Sequence, residues 1–128
     1  MYRLVEAFHG DIGALAGRSL PEYYSLVKRI PYLRDRKGSE TVARPRLLLT
    51  EFPALDCKKK AILIAAWCRA HKIPYRFVAC SERPDRMIHH VFPQAAIGKR
   101  WRNLDATYPK YRMFEKKPRL TRAEVLKP

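Results

Sequence analysis

Asp56 is followed by a cysteine, three lysines and an apolar, Ala-rich run, Ala61-Ile62-Leu63-Ile64-Ala65-Ala66-Trp67. A stretch of this kind reads as the central helix of a domain. Asp56 is a good N-cap, so Cys57 falls in the first turn and the helix is predicted from Cys57 to about His71. Three strand-like segments follow: Tyr75 to Cys80, His89 to Ala95 and Arg100 to Asp105. Ser81 to Arg86 links the first two, and Gly98 turns the second into the third. Consecutive strands with short links favour an antiparallel sheet against the cysteine helix. Upstream, Ser19 caps a predicted helix with Pro21 in its first turn and an apolar stripe of Tyr23, Leu26, Val27 and Ile30. Pro31 ends it. Residues 34 to 42 are polar and turn-rich and read as a loop, and a second helix spans roughly 45 to 51. The expected fold class is α+β, with N-terminal helices and the cysteine helix packed on a small antiparallel sheet.

At 128 residues and 47% apolar content the chain has the size and composition of one domain with one core. No apolar run approaches the ~20 residues that span a bilayer. Met1-Tyr2-Arg3-Leu4-Val5-Glu6 lacks the basic–apolar–small layout of a secretion signal. Three cysteines cannot all pair. Cys57 and Cys68 stand about three helical turns apart, too far to bridge. Reduced thiols in a cytoplasmic setting are expected, with Cys68 and Cys80 as core filler.

Cys57, His90 and Asp105 supply, in order, a nucleophile at a helix start, a base on a strand and an orienter on the next. A free thiol near pKa ~8.5 holds little thiolate at neutral pH. The unpaired N–H groups of a helix N-terminus favour negative charge, and Lys58, Lys59 and Lys60 add positive potential. An imidazole can take the thiol proton and return it to a leaving group, while a carboxylate fixes its tautomer. Taken singly, a cysteine is more often a small buried hydrophobe, a histidine a strand residue and an aspartate a turn residue. Taken jointly, with their flanks, the three point to thiol acyl transfer. His89 and His90 face opposite sides of a strand, so only one can serve. Cys57, His71, His89 and His90 lack the spacing of a metal site, and neither a metal nor a cofactor is expected. Trp101 is read as a shield between the histidine–aspartate contact and water.

At these residues the sequence resembles the transglutaminase-like superfamily, with its papain-like fold. Asp56-Cys57-Lys58-Lys59-Lys60-Ala61-Ile62-Leu63-Ile64-Ala65-Ala66 is similar to the family's cysteine motif. Arg69-Ala70-His71-Lys72-Ile73-Pro74-Tyr75-Arg76-Phe77-Val78 resembles its helix exit and following strand. His90-Val91-Phe92 resembles its histidine strand, with Phe92 favouring His90 over His89, and Trp101-Arg102-Asn103-Leu104-Asp105-Ala106-Thr107 its aspartate strand. Ala43-Arg44-Pro45-Arg46-Leu47-Leu48-Leu49 looks like the short helix before the cysteine. Leu55 stands where the family has glycine before Asp-Cys, and His71 is read in place of the glycine after the helix. Tyr24 and Tyr32 are the candidates for the upstream residue that completes an oxyanion hole.

The resemblance covers residues 42–109 and implies a transglutaminase-like domain over 1–109, with a basic C-terminal tail over 110–128. It further implies a Cys57–His90–Asp105 triad in a cysteine-dependent hydrolase or acyltransferase. Such an enzyme cuts amide bonds in a protein or peptide as a protease or amidase, or exchanges them as a transglutaminase. The alternative is a structural or adaptor protein of the same fold. Small members resembling this one are often encoded by bacteriophages and prophages, which makes a virion-associated role the companion of that alternative.

Charge is the second signal. Lys and Arg number 27 against 12 Asp and Glu, a net charge of +15. That balance implies an acidic protein or nucleic-acid partner, although no nucleic-acid motif accompanies it. Residues 110–128 carry seven basic and two acidic side chains. Thr121-Arg122-Ala123-Glu124 fits a capping box and predicts a short terminal helix.

Overall fold

Ten consecutive residues of the cysteine helix, Lys59 to Cys68, are buried, so this helix has no solvent-facing side over that length. The rest of the chain supplies the cover. The computed structural model describes residues 1–35 and 41–128; of the loop expected over 34 to 42, residues 36–40 lie outside the described residues. Helix α1 (Tyr2–Phe8) leads into a 3-10 segment (His9–Gly17), then α2 (Leu20–Arg29), α3 (Pro45–Thr50) and the central α4 (Cys57–Ala70). Strands β1 (Tyr75–Ser81), β2 (His90–Ile97), β3 (Arg100–Asn103) and β4 (Arg122–Val125) follow. They form one antiparallel sheet in the order β3-β2-β1-β4. The α+β architecture and the helices expected at 45–51 and from Cys57 are present, as is the Ser19-capped α2, where the Ser19 hydroxyl accepts from the Glu22 amide. Among the described residues no helix is long and apolar enough to cross a membrane.

The helices lock α4 through buried polar contacts as well as apolar packing. The Tyr23 hydroxyl of α2 donates to the Leu63 carbonyl at 2.6 Å, and the Trp67 indole N–H donates to the Arg18 carbonyl at 3.0 Å. A bidentate Arg44–Asp11 pair (2.8 and 2.7 Å) ties α3 to the 3-10 segment, whose two halves meet at Gly13 with φ +55°. On the other side Phe77 of β1 and Ala95 of β2 join the core around α4. Gly98, at φ +66°, makes the β2–β3 turn in the left-handed region that suits a residue without a Cβ.

Three expectations are corrected. The capping-box segment Thr121-Arg122-Ala123-Glu124 is not helical. It forms the start of β4, paired with β1 from Val78↔Val125 to Ser81↔Arg122. The Thr121 hydroxyl donates across to the Arg83 carbonyl at 2.7 Å instead of capping. A four-residue local signal is worth little against an open strand edge whose backbone groups need partners. Residues 110–128, read as a tail, therefore contribute an edge strand, and Leu120 packs on Val78, Cys80 and Phe92. Trp101 does not shield the histidine–aspartate contact: it is 41% exposed and carries the Arg76 guanidinium over its ring at 4.2 Å. Lastly, the glycine-favouring position after α4 is Lys72 (φ +58°), not His71. The Ile73 amide returns to the Cys68 carbonyl and the Lys72 amide to the Arg69 carbonyl, the bond pattern of a left-handed helix stop. His71 is still within the cap, stacked on Trp67 with ring centroids 3.8 Å apart.

Because Lys72 holds a conformation that costs a side-chain-bearing residue roughly 1 kcal/mol, Lys72→Gly should stabilise the protein by about 0.5–1 kcal/mol in urea unfolding. Destabilisation would show that the lysine makes a compensating contact.

Candidate active site

Asp56 starts the site. Its carboxylate accepts from the Lys59 amide at 2.9 Å and from Lys58 Nζ at 2.9 Å, so it caps α4 and pairs with the next side chain but one. That cap puts Cys57 at the first helical position, half-buried, with its backbone N–H among the amides that α4 itself leaves unbonded. The approach to Cys57 is fixed by a short parallel bridge. The Leu55 amide donates to the Pro31 carbonyl and the Leu33 amide to the Leu55 carbonyl. Leu55, which stands in place of a glycine, is fully buried and so leaves the approach clear. The same bridge brings Tyr32 alongside.

The expected lysine potential divides into three uses. Lys58 pairs with Asp56, and Lys59 is buried against Asp35 at 2.5 Å. Lys60 is buried and donates from Nζ to the carbonyls of Thr107 (2.9 Å), Ala106 (3.3 Å) and Lys28 (3.3 Å). Burial pushes its pKa down to about 8, while the charge of Asp105 works in the opposite sense. Lys60 thus pins the segment just after Asp105 to the second turn of the cysteine helix.

His90 begins β2, and its Nε2 lies 2.6 Å from Asp105 Oδ2. Cys57 and His90 line the same cleft, and the thiol, together with Asp105, favours the protonated ring. Burial opposes the charged imidazolium, but Asp105 and Cys57 outweigh it and raise the His90 pKa to about 9. Burial likewise opposes the Asp105 carboxylate, yet His90 and Lys117 hold it below the ordinary carboxylate range, near 2. His89 is exposed and engaged elsewhere: its Nε2 accepts from the Glu82 amide at 2.9 Å, and its own amide donates to the Cys80 carbonyl. His71 sits at the far end of α4, roughly 20 Å from Cys57 at 1.5 Å per residue. Cys68 and Cys80 are buried, and burial raises their pKa values to about 12 and about 11.

The Asp105 carboxylate accepts on both oxygens. Oδ1 takes the Thr107 amide at 3.0 Å and the Thr107 hydroxyl at 2.5 Å; Oδ2 takes His90 and Lys117 Nζ, the latter at 2.7 Å. Its main-chain carbonyl accepts from the buried Tyr24 hydroxyl at 2.6 Å. This separates the two tyrosine candidates: Tyr24 holds the aspartate backbone, while Tyr32 lines the cleft with Cys57. Lys60 and Lys117 were not legible as partners of this site, and Tyr24, an oxyanion-hole candidate from the sequence, instead holds the Asp105 carbonyl. Thr107 was legible, in the Asp-x-Thr spacing that lets a threonine two residues on close a turn onto the carboxylate. The cleft holds about 760 Å³ and is lined by Cys57 and His90 with Tyr32, Arg34, Arg83 and Met87 among its walls. Among the described residues no group of His, Cys, Asp or Glu is arranged to hold a metal ion.

The family model of the transglutaminase-like superfamily matches residues 19–106. A solved structure from Cytophaga hutchinsonii, provisionally named a cysteine protease, resembles this chain with a TM-score of 0.54 at 22% identity. The likeness covers 84% of this chain and 39% of that one, so this chain spans about two fifths of that protein's length. At that identity it shows the fold alone. No curated protein shows significant similarity to the chain.

His90 binds its proton more tightly folded than unfolded, so its contribution to stability is complete below its ordinary pKa of 6.5 and is lost as pH rises through about 9. The stability difference between the wild type and His90→Gln should therefore shrink between pH 6 and pH 10, by up to about 3 kcal/mol. A difference flat across that range would mean that the imidazole is not ion-paired with Asp105.

Proposed function

The chain belongs to the transglutaminase-like superfamily, and from that premise we propose that it is a cysteine-dependent acyl-transfer enzyme acting on amide bonds of proteins or peptides. The observation that carries this is His90, bonded to Asp105 at 2.6 Å and lining one cleft with the Cys57 thiol at the N-terminus of α4. The reaction starts from a Cys57 thiolate beside a His90 imidazolium. Sγ attacks the amide carbonyl, and negative charge develops on the carbonyl oxygen. The Cys57 backbone N–H at the helix start stabilises that oxygen. Tyr32 is the candidate second donor, since burial keeps its hydroxyl protonated well beyond neutral pH. The tetrahedral intermediate collapses as His90 gives its proton to the departing amine, leaving a thioester on Cys57. Water, deprotonated by His90, attacks the thioester, releasing a carboxylic acid and restoring the thiol. An amine in place of water forms a new amide. The first outcome is that of a protease or amidase, the second that of a transglutaminase.

The cleft favours substrates with anionic groups. Arg34, Lys58 and Arg83 line it with Asp35 and Asp56, one more cation than acid, although Lys58 is itself paired with Asp56 and Arg83 with Asp85. The chain's +15 charge acts in the same direction at long range. Binding of an acidic peptide should accordingly weaken as salt is raised from 50 to 500 mM, seen as a rise in KM with little change in kcat. Salt-independent KM would show that the basic rim is only solvated.

Iodoacetamide at low concentration and neutral pH should label Cys57 ahead of Cys68 and Cys80. The raised pKa values of those two leave each a thiolate fraction on the order of one in ten thousand or less. Incubation with an acidic peptide pool followed by hydroxylamine should yield hydroxamates from the trapped thioester. Cys57→Ala should abolish them while the protein stays folded, and Asp105→Asn should slow turnover about 10²- to 10⁴-fold through lost imidazole orientation. Uniformly inert cysteines would favour a binding protein on the same fold.

A further inference from the structure

We propose that Lys117, delivered by the C-terminal segment beyond the family-matched region, is a positioning residue that holds the Asp105 carboxylate in place for His90. The inference rests on the reading of Cys57, His90 and Asp105 as the reacting set. Lys117 Nζ lies 2.7 Å from Asp105 Oδ2, the same oxygen that His90 approaches at 2.6 Å. Its side chain is 9% exposed. The ammonium stands over the Phe92 ring at 4.9 Å and the Tyr111 ring at 4.5 Å, so aromatic faces guide it to the carboxylate. With Thr107 on Oδ1, no rotation of the carboxyl group is left that keeps all four contacts.

The loop that carries Lys117 is pinned on both sides. Before it, the Phe114 amide donates to the Asn103 carbonyl at 2.9 Å and Asn103 Nδ2 donates to the Glu115 carbonyl at 3.0 Å. After it, Leu120 packs on Val78, Cys80 and Phe92, Thr121 bonds the Ser81 and Arg83 carbonyls, and β4 completes the sheet. Anchors of this number make the position of Lys117 a property of the fold and not of a mobile tail.

A cation at this point does what a neutral donor would not. It keeps Asp105 ionised, and by sharing Oδ2 it weakens the pull of the carboxylate on the imidazolium. His90 then parts more readily with the proton that the leaving amine needs. The other titratable groups facing this pair are Cys57 on the His90 ring and Lys60, Tyr24, Tyr111 and Cys80 around Asp105. None of these four gives the carboxylate an ion pair.

The test compares full-length wild type, Lys117→Met and Lys117→Arg. The His90 titration is followed by its ring-proton NMR signals, and turnover of an acidic peptide pool across pH is measured alongside. Lys117→Met should raise the His90 titration by about one pH unit and lower turnover at least tenfold, and Lys117→Arg should recover most of both. A folded Lys117→Met with an unmoved His90 titration overturns the assignment and leaves Lys117 a packing residue. If that variant fails to fold, Lys117→Gln, which keeps a donor without the charge, decides by the same shift or its absence. Alkylation of Cys57 that is indifferent to His90→Gln overturns the reading of the reacting set, and Lys117 with it. Alkylation that depends on His90, with a His90 titration that ignores Lys117, overturns the Lys117 assignment alone.

Discussion

A helix buried on every side for ten residues can be stable only if the rest of the chain is wrapped around it, and α4 is that helix. Its apolar middle, Ala61 to Trp67, has no polar face to offer water, so helices α1 to α3 cover one side and the sheet the other. The hydrophobic effect drives this arrangement, but it has no direction of its own. Direction comes from buried hydrogen bonds such as Tyr23 to Leu63 and Trp67 to Arg18, each of which would leave an unsatisfied polar group if the packing slipped. The first turn of α4 is only partly covered. Asp56 caps that end, and Cys57 sits there beside the cleft, so the element that builds the core also presents the thiol.

Around that thiol, Asp105 is the point where separate parts of the chain meet. Strand β2 supplies His90, the turn after β3 supplies Thr107, α2 supplies Tyr24, and the C-terminal segment supplies Lys117. Lys60 fastens the adjoining carbonyls to α4. A carboxylate 5% exposed and ionised is expensive to bury unless its lone pairs are filled. Here both oxygens are bonded twice. The arrangement keeps the charge in place and fixes its direction toward the His90 ring, which is what an orienting carboxylate has to do in the proposed reaction.

Those same requirements bear on specificity. The cleft has an apolar contribution from Met87 and Ile88, and its three cations exceed its two carboxylates by one, with Lys58 and Arg83 held in ion pairs of their own. In the proposed reaction a charged rim would act on approach and orientation, and the chemistry would depend on the three buried or half-buried groups beneath it. On the proposed reading, substrate preference and reaction type are carried by different residues.

Much of this was legible in the sequence because it is local. The Asp56 cap, the span of α4, the three consecutive strands and the order of Cys57, His90 and Asp105 all follow from spacing, patterning and flanking motifs. Which of two adjacent histidines faces the aspartate is a matter of strand register, and the family pattern at Phe92 had already favoured His90. The misread features are ones where a local signal met a larger demand. The capping-box pattern at Thr121 yielded to the open edge of β1, and the exposed Trp101 found Arg76 instead of the histidine. The left-handed stop fell on Lys72, since helix ends depend on where the last hydrogen bonds close. Lys60 and Lys117 were invisible for a different reason. In a chain of 27 basic residues, nothing in the sequence marks the lysine that will be buried. Sequence alone determined α2, α3, α4 and the first three strands, their order and the chemical groups on offer. Only the tertiary structure decided which carbonyls surround Lys60 and which carboxylate Lys117 meets, because a buried charge is defined by partners distant along the chain.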